Sequence, residues 1–138
     1  MEAMPVDQAL EMQPLRTEEY CWGKKHVLIE TPKLFLDLLI IKKGGYSSAH
    51  FHKNLNNLLI VLSGKIYINL YKSEIKLNFI RYEELIPFTQ YRIFPYNIHQ
   101  FRAIEYSEVL EISANETDLE ILRSDIIRLN ERGIENDT

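Results

Sequence analysis

From residue 26 onward the apolar residues fall in short runs broken by turn-forming residues. HVLIE (26–30) is followed by a Thr31-Pro32-Lys33 break, then LFLDLLIIK (34–42), which the flanking Pro32 and Gly44-Gly45 favour as a strand over a helix. NLLIVLSGKIYINLY (57–71) divides at Ser63-Gly64 into two apolar arms, and it predicts a β-hairpin because glycine takes the positive φ that tight turns require. In its second arm Ile66, Ile68 and Leu70 alternate with Tyr67, Asn69 and Tyr71, the period of a strand. A turn at Lys72-Ser73-Glu74, the run IKLNFIRY (75–82) and a polar bend at Glu83-Glu84 come next. LIPFT (85–89), YRIFP (91–95), IHQFRAIE (98–105) and EVLEIS (108–113) complete a set of about seven to nine short strands, the pattern of an antiparallel sandwich or barrel.

The two ends differ from this body. Residues 1–19 mix Met, Pro, Gln and Glu without a period and predict a flexible arm, with a single domain over 20–138. Near the other end, Thr117-Asp118-Leu119-Glu120 has the form of a capping box. Leu119, Leu122, Ile126 and Leu129 follow at helical spacing, with Gly133 as a stop. The expectation is an all-β domain closed by a C-terminal amphipathic helix, or at least a helical turn followed by an extended piece, its apolar stripe packed on the barrel or on a second subunit.

Composition narrows the setting. The 138 residues suffice for one domain with its own core. A single cysteine, Cys21, excludes an internal disulfide framework and suits a reducing compartment. No signal-peptide pattern and no apolar stretch approaching ~20 residues is present, so a cytoplasmic, non-membrane protein is expected. The net charge of −4 is unevenly spread. Lys and Arg against Asp and Glu number 4 and 7 over 1–41, 9 and 3 over 42–102, and 3 and 10 over 103–138. The basic middle segment suits a small anionic ligand such as a sugar phosphate or a carboxylate. Nucleic acid is not expected, because the basic residues are scattered singly in an acidic chain.

The candidate chemistry lies in GGYSSAHFHKNLNNLLIVLSG (44–64) and FPYNIHQF (94–101). On a strand His50 and His52 share one face, and with His99 folded onto it three imidazoles converge as ligands for zinc, nickel, iron or manganese. The spacing Gly44-x5-His50-x-His52-x4-Asn57-x6-Gly64 resembles the first motif of the cupin family, G-x5-H-x-H-x4-E-x6-G. FPYNIH resembles the second, a Pro-turn leading into a third histidine. The order from Trp22-Gly23 through these motifs to Asp125-Ile126-Ile127-Arg128-Leu129 is similar, more narrowly, to the mannose-6-phosphate isomerase type II family.

That resemblance implies a jelly-roll β-barrel, a homodimer, and a divalent metal held by His50, His52 and His99. It also implies isomerisation of a sugar phosphate. Three departures stand out. His50 falls where the isomerase branch commonly has Gln, and Asn57 replaces the motif Glu. The family's closing Tyr-Gly-Arg is absent, the chain reading Glu131-Arg132-Gly133-Ile134.

Asn57 offers a neutral carbonyl oxygen as a fourth ligand or a substrate partner, and it cannot serve as a base. Glu111 or Asp37 is expected to take that part if turned inward, with Tyr67 or Tyr71 as hydrogen-bond donors. His26 and Cys21 are expected to have no site role. A non-catalytic ligand-binding cupin and a three-His iron dioxygenase are the alternative readings, both favoured by Asn57.

Overall fold

The computed structural model describes residues 13–72, 77–115, 117 and 119–135. Alternation within the strands sets the architecture. In β3 (Leu34–Ile41) every second residue is buried, so Phe35, Asp37, Leu39 and Ile41 point inward. In β6 (Asn56–Ser63) Asn57, Leu59 and Val61 do the same. These faces belong to a six-stranded antiparallel sheet ordered β1-β2-β3-β11-β6-β9, completed by β1 (Arg16–Tyr20), β2 (Gly23–Glu30), β11 (Ser107–Ala114) and β9 (Gln90–Ile93).

The second sheet is built around β10 (Ile98–Ala103). Along one side it pairs with β4 (Gly45–Tyr46) and β5 (His50–His52), and along the other with β7 (Ile66–Tyr71), which carries β8 (Phe79–Leu85). β12 (Ile126–Arg128) closes the free edge of β5, and β13 (Gly133–Ile134) extends β4. Between the sheets lies the main core, which includes Trp22, Leu39, Leu59, Val61, Ile66, Ile68, Phe101 and Val109, with Phe35, Leu55 and Ile121 forming a smaller cluster. The fold is an all-β, two-sheet antiparallel barrel.

Four expectations change. The C-terminal helix is replaced: among the described residues this segment holds a 3-10 turn at Arg123–Asp125, followed by β12 and β13. Leu119 and Leu122 are more than 60% exposed, while Ile121, off the expected stripe, packs with Phe35 and Leu55. The helical spacing loses because the edge of β5 needs backbone partners, and Ile126, Ile127 and Arg128 supply them opposite His52, Phe51 and His50. Asp118 of the capping box lies outside the described residues.

The hairpin at Ser63-Gly64 is not formed either. Gly64 does take a positive φ of 84°, but its turn carries the chain from one sheet to the other. β6 pairs with β11 and β9, whereas β7 pairs with β10 and β8. A glycine turn is the same local signal in a hairpin and at a barrel corner, and here the non-local ladders decide. The polar bend at Glu83-Glu84 is strand: both residues sit inside β8, an outer strand whose polar side chains face solvent. At the start of the chain, β1 lies within the stretch expected as an arm, and residues 1–12 of that arm lie outside the described residues.

Candidate metal centre

β5 is only three residues long, all buried, and its alternation places His50 and His52 on the inner face with Phe51 opposite. β10 brings His99 into register directly across from His50. The ring centroids lie 4.3 Å (His50–His99), 5.3 Å (His50–His52) and 5.9 Å (His52–His99) apart. One ligating nitrogen from each lies within 4.8 Å of the others.

The protonation pattern follows from the neighbours. His50 Nδ1 is 2.7 Å from the Ser48 carbonyl oxygen, and His99 Nδ1 is 2.8 Å from that of Asn97. A carbonyl only accepts, so both Nδ1 atoms carry the proton and both Nε2 lone pairs are left for a ligand. His52 Nδ1 is buried without a hydrogen-bond partner. Burial lowers the pKa of all three imidazoles, helped at His50 and His52 by the neighbouring rings. His52 and His99 fall to about 4 and His50 lies well below its usual value. All three are neutral at pH 7.

Local turns fix this arrangement. Phe94-Pro95-Tyr96-Asn97 is closed by a 3.2 Å bond from the Asn97 amide to the Phe94 carbonyl and by the Asn97 side chain accepting from the Phe94 amide. Tyr96 holds a φ of 67°, unfavourable for a bulky residue. Its N–H donates to the His52 carbonyl at 2.7 Å, and its ring stacks on Phe51. The turn thus ties the His99 segment to the His52 segment. On the other side of β5, Asp125 accepts backbone N–H bonds from Lys53, Asn54 and Leu55 at 3.2, 2.8 and 2.9 Å.

His50 and His52 open into a pocket of about 120 Å³, lined also by Asn57, Glu111, Ser113, Arg123 and Arg128, with His99 behind them. Asn57 Nδ2 donates to Glu111 Oε2 at 3.3 Å, and its Oδ1 is buried without a partner. Glu111 and Asp37 are directly opposite in the β11–β3 ladder. Asp37, fully buried, is paired in bidentate fashion by Arg123 at 2.7 and 3.0 Å, and Arg123 also reaches Glu30 and lies over Phe35. Glu111 makes no ion pair among the described residues. Burial, then the Asp37 charge, raises its carboxyl above the usual range.

The structure therefore gathers His50, His52, His99, Asn57 and Glu111 in one region, and it engages Asp37 with Arg123. It does not bring in the tyrosines. Tyr67 lies on the outer face of β7, stacked on Tyr82, and Tyr71 donates to Gln100. Alternation already holds the reason, since the core-facing residues of β7 are Ile66 and Ile68. His26 bonds Thr17, and Cys21 is exposed. Arg123 escaped the sequence reading because the helical spacing of 119–129 masked it. Asp125 entered it only as the first residue of the motif Asp125-Ile126-Ile127-Arg128, without a role.

The donor set fits a first-row divalent cation: three neutral imidazoles with two oriented by carbonyls, in a buried site beside an orphaned amide oxygen. A β-barrel with an internal three-histidine cluster is what fold and site define. No family model matches this sequence, and neither does any curated protein.

Solved structures do match its fold. Residues of this chain align with CapF, a capsular polysaccharide assembling protein from Staphylococcus aureus, at a TM-score of 0.68 and 19% identity, covering 88% of this chain and 34% of that one. A cupin superfamily protein from Desulfitobacterium hafniense gives 0.57 and 14%, covering 83% and 92%. KdgF from Halomonas sp. gives 0.57 and 18%, covering 69% and 82%. The chain has the cupin fold, and it spans about a third of the length of CapF. No helix among the described residues is long and apolar enough to cross a membrane.

Proposed function

We propose that this chain binds a divalent metal through His50, His52 and His99 and acts on a small anionic sugar, with isomerisation of a sugar phosphate as the reaction. The observation that carries the reading is Glu111. The cupin-like motif has lost its carboxylate at Asn57, and a half-buried carboxyl from the adjacent strand lines the same pocket, bonded to that Asn. A bound zinc, nickel, iron or manganese ion would polarise the substrate's oxygens as a Lewis acid. The chain's own residues do the rest. Glu111 takes the proton from the carbon beside the carbonyl and returns it to the former carbonyl carbon, burial and the Asp37 charge having raised its carboxyl pKa so that it can hold the proton between the two transfers. Asn57 holds the carboxyl in place through its amide N–H, and the apolar walls at Phe35, Leu39 and Leu55 exclude water.

A second reading is favoured by the all-neutral donor set: three histidines without a carboxylate also suit a ferrous oxygenase. The test is metal content by mass spectrometry on protein purified without a chelating tag, beside His99→Ala, followed by NMR of aldose and ketose phosphates with the metal found. Near-stoichiometric metal lost in the variant, with aldose–ketose interconversion, supports the isomerase. Oxygen uptake with ferrous ion and no interconversion moves the assignment to the oxygenase, and the absence of any metal leaves a ligand-binding protein.

A further inference from the structure

We infer that Arg128 and Arg132 form an oxyanion subsite on the rim of the histidine pocket, built for a phosphate monoester. The inference rests on the reading above that the pocket takes a small anion, and it names where the charged group docks.

Most arginines here are neutralised by protein. Arg16 pairs with Glu18 and Glu30, Arg81 with Glu83, Arg102 with Glu135, and Arg123 with Asp37 and Glu30. Arg128 and Arg132 make no ion pair among the described residues, although Glu131 stands between them in sequence and borders the same concavity. Instead Arg128 Nη1 donates to Ser48 Oγ at 2.9 Å, and Arg132 lies over the Tyr20 ring at 4.7 Å. Both guanidinium groups are thus held by neutral partners that leave their charge uncompensated. They are also close enough to repel: partial burial and then the Arg132 charge pull the Arg128 pKa down. Two unneutralised guanidinium forks on one rim provide several N–H donors, the arrangement that a dianionic phosphate accepts from.

Register places this pair relative to the histidines. Arg128 is directly opposite His50 in the β12–β5 ladder, so the two side chains share a face, and both residues line the pocket. Ser48, which receives Arg128, also contacts His50 through its own oxygen atoms. A phosphate on the two arginines therefore sits at the mouth, with the carbon chain it carries directed towards the three imidazoles. Of the other two cations of the lining, Arg123 is taken by Asp37 and Glu30, and Lys25 by Glu18 at 3.4 Å.

The test is calorimetric titration of the full chain with inorganic phosphate at low ionic strength, first after EDTA treatment and then with metal restored. Acetate serves as a singly charged comparator, and Arg92→Gln as a control at an exposed arginine of β9. The expected result is saturable phosphate binding without metal, at least tenfold weaker in Arg128→Gln/Arg132→Gln and within twofold of wild type in Arg92→Gln. Should Arg128→Gln fail to fold by circular dichroism, Arg132→Gln alone, at an exposed position, is expected to weaken binding at least threefold. No saturable phosphate binding, or equal binding in the arginine variants, overturns the subsite. Acetate competing at equal concentration overturns its assignment to a phosphate. Because the first titration needs no metal, loss of the metal centre and loss of this subsite are separately readable.

Discussion

Two titrating environments meet in the pocket, and they make opposite demands on pH. Glu111 carries a folded-state pKa above its unfolded value, so its contribution to stability is present at low pH and is lost as pH rises through the folded pKa. Glu111→Gln keeps an oxygen to accept from Asn57 without the charge. At pH 7 the variant is expected to be as stable as wild type or more stable by about 1 kcal/mol, with its advantage shrinking on acidification, as read by urea unfolding at several pH values. Turnover should fall about 10²–10⁴-fold while bound metal is unchanged.

The histidines run the other way. Their folded pKa values lie below the unfolded 6.5, so the unfolded chain binds protons that the native one refuses, and metal-free protein loses stability as pH falls from about 6.5 towards about 4. Subtracting the profile of His99→Asn from that of wild type isolates one imidazole, and the difference should slope over that window. A flat difference would mean that His99 is not held neutral by burial.

At the scale of elements, the short strand β5 depends on the segment that follows the barrel. It has one register pair with β10 and three with β12, and the loop after it is gathered by the Asp125 carboxylate. Removing that carboxylate strands three backbone donors. Asp125→Ala is expected to cost about 2–3 kcal/mol and to lower metal occupancy, with Asp125→Asn recovering part of both. Urea midpoints and metal content check the pair, and unchanged occupancy in the Ala variant would show that β12 is not what positions His52.

This dependence also marks where reading the sequence reached its limit. The convergence of His50, His52 and His99 was legible because a period of two and a Pro-turn are local signals, whereas the inward facing of Glu111 stayed open because nothing within EVLEIS decides it. The C-terminal segment was not legible. Leu119, Leu122, Ile126 and Leu129 carry helical spacing, and what overrides it is an unpaired strand edge some seventy residues earlier in the chain. Gly64 shows the same limit, its positive φ being visible as a turn while the choice between hairpin and sheet crossing rests on partners far away.

For the molecule as a whole, a metal at the histidines would cross-link one sheet and leave the other alone. Both ligand-bearing strands, β5 and β10, belong to the sheet that β12 and β7 complete, whereas β3, β11 and β6 share the other sheet with β1, β2 and β9. Binding to the native state alone stabilises by mass action, about 2.7 kcal/mol when free metal is a hundredfold above Kd. For a domain of this size that is a rise in Tm of about 5–10 °C. EDTA-treated wild type should show it on addition of zinc or nickel, and His99→Ala should not. Hydrogen exchange then separates a site in the barrel from ions on its surface. Added protection is expected to concentrate in residues 47–52 and 97–101, with the β1–β2 ladder unchanged, because sub-global opening of the two sheets need not be equal. Uniform protection across both sheets would mean that the metal reports only on global unfolding, and protection confined to the acidic stretch 131–135 would place it at the surface carboxylates instead of the imidazoles.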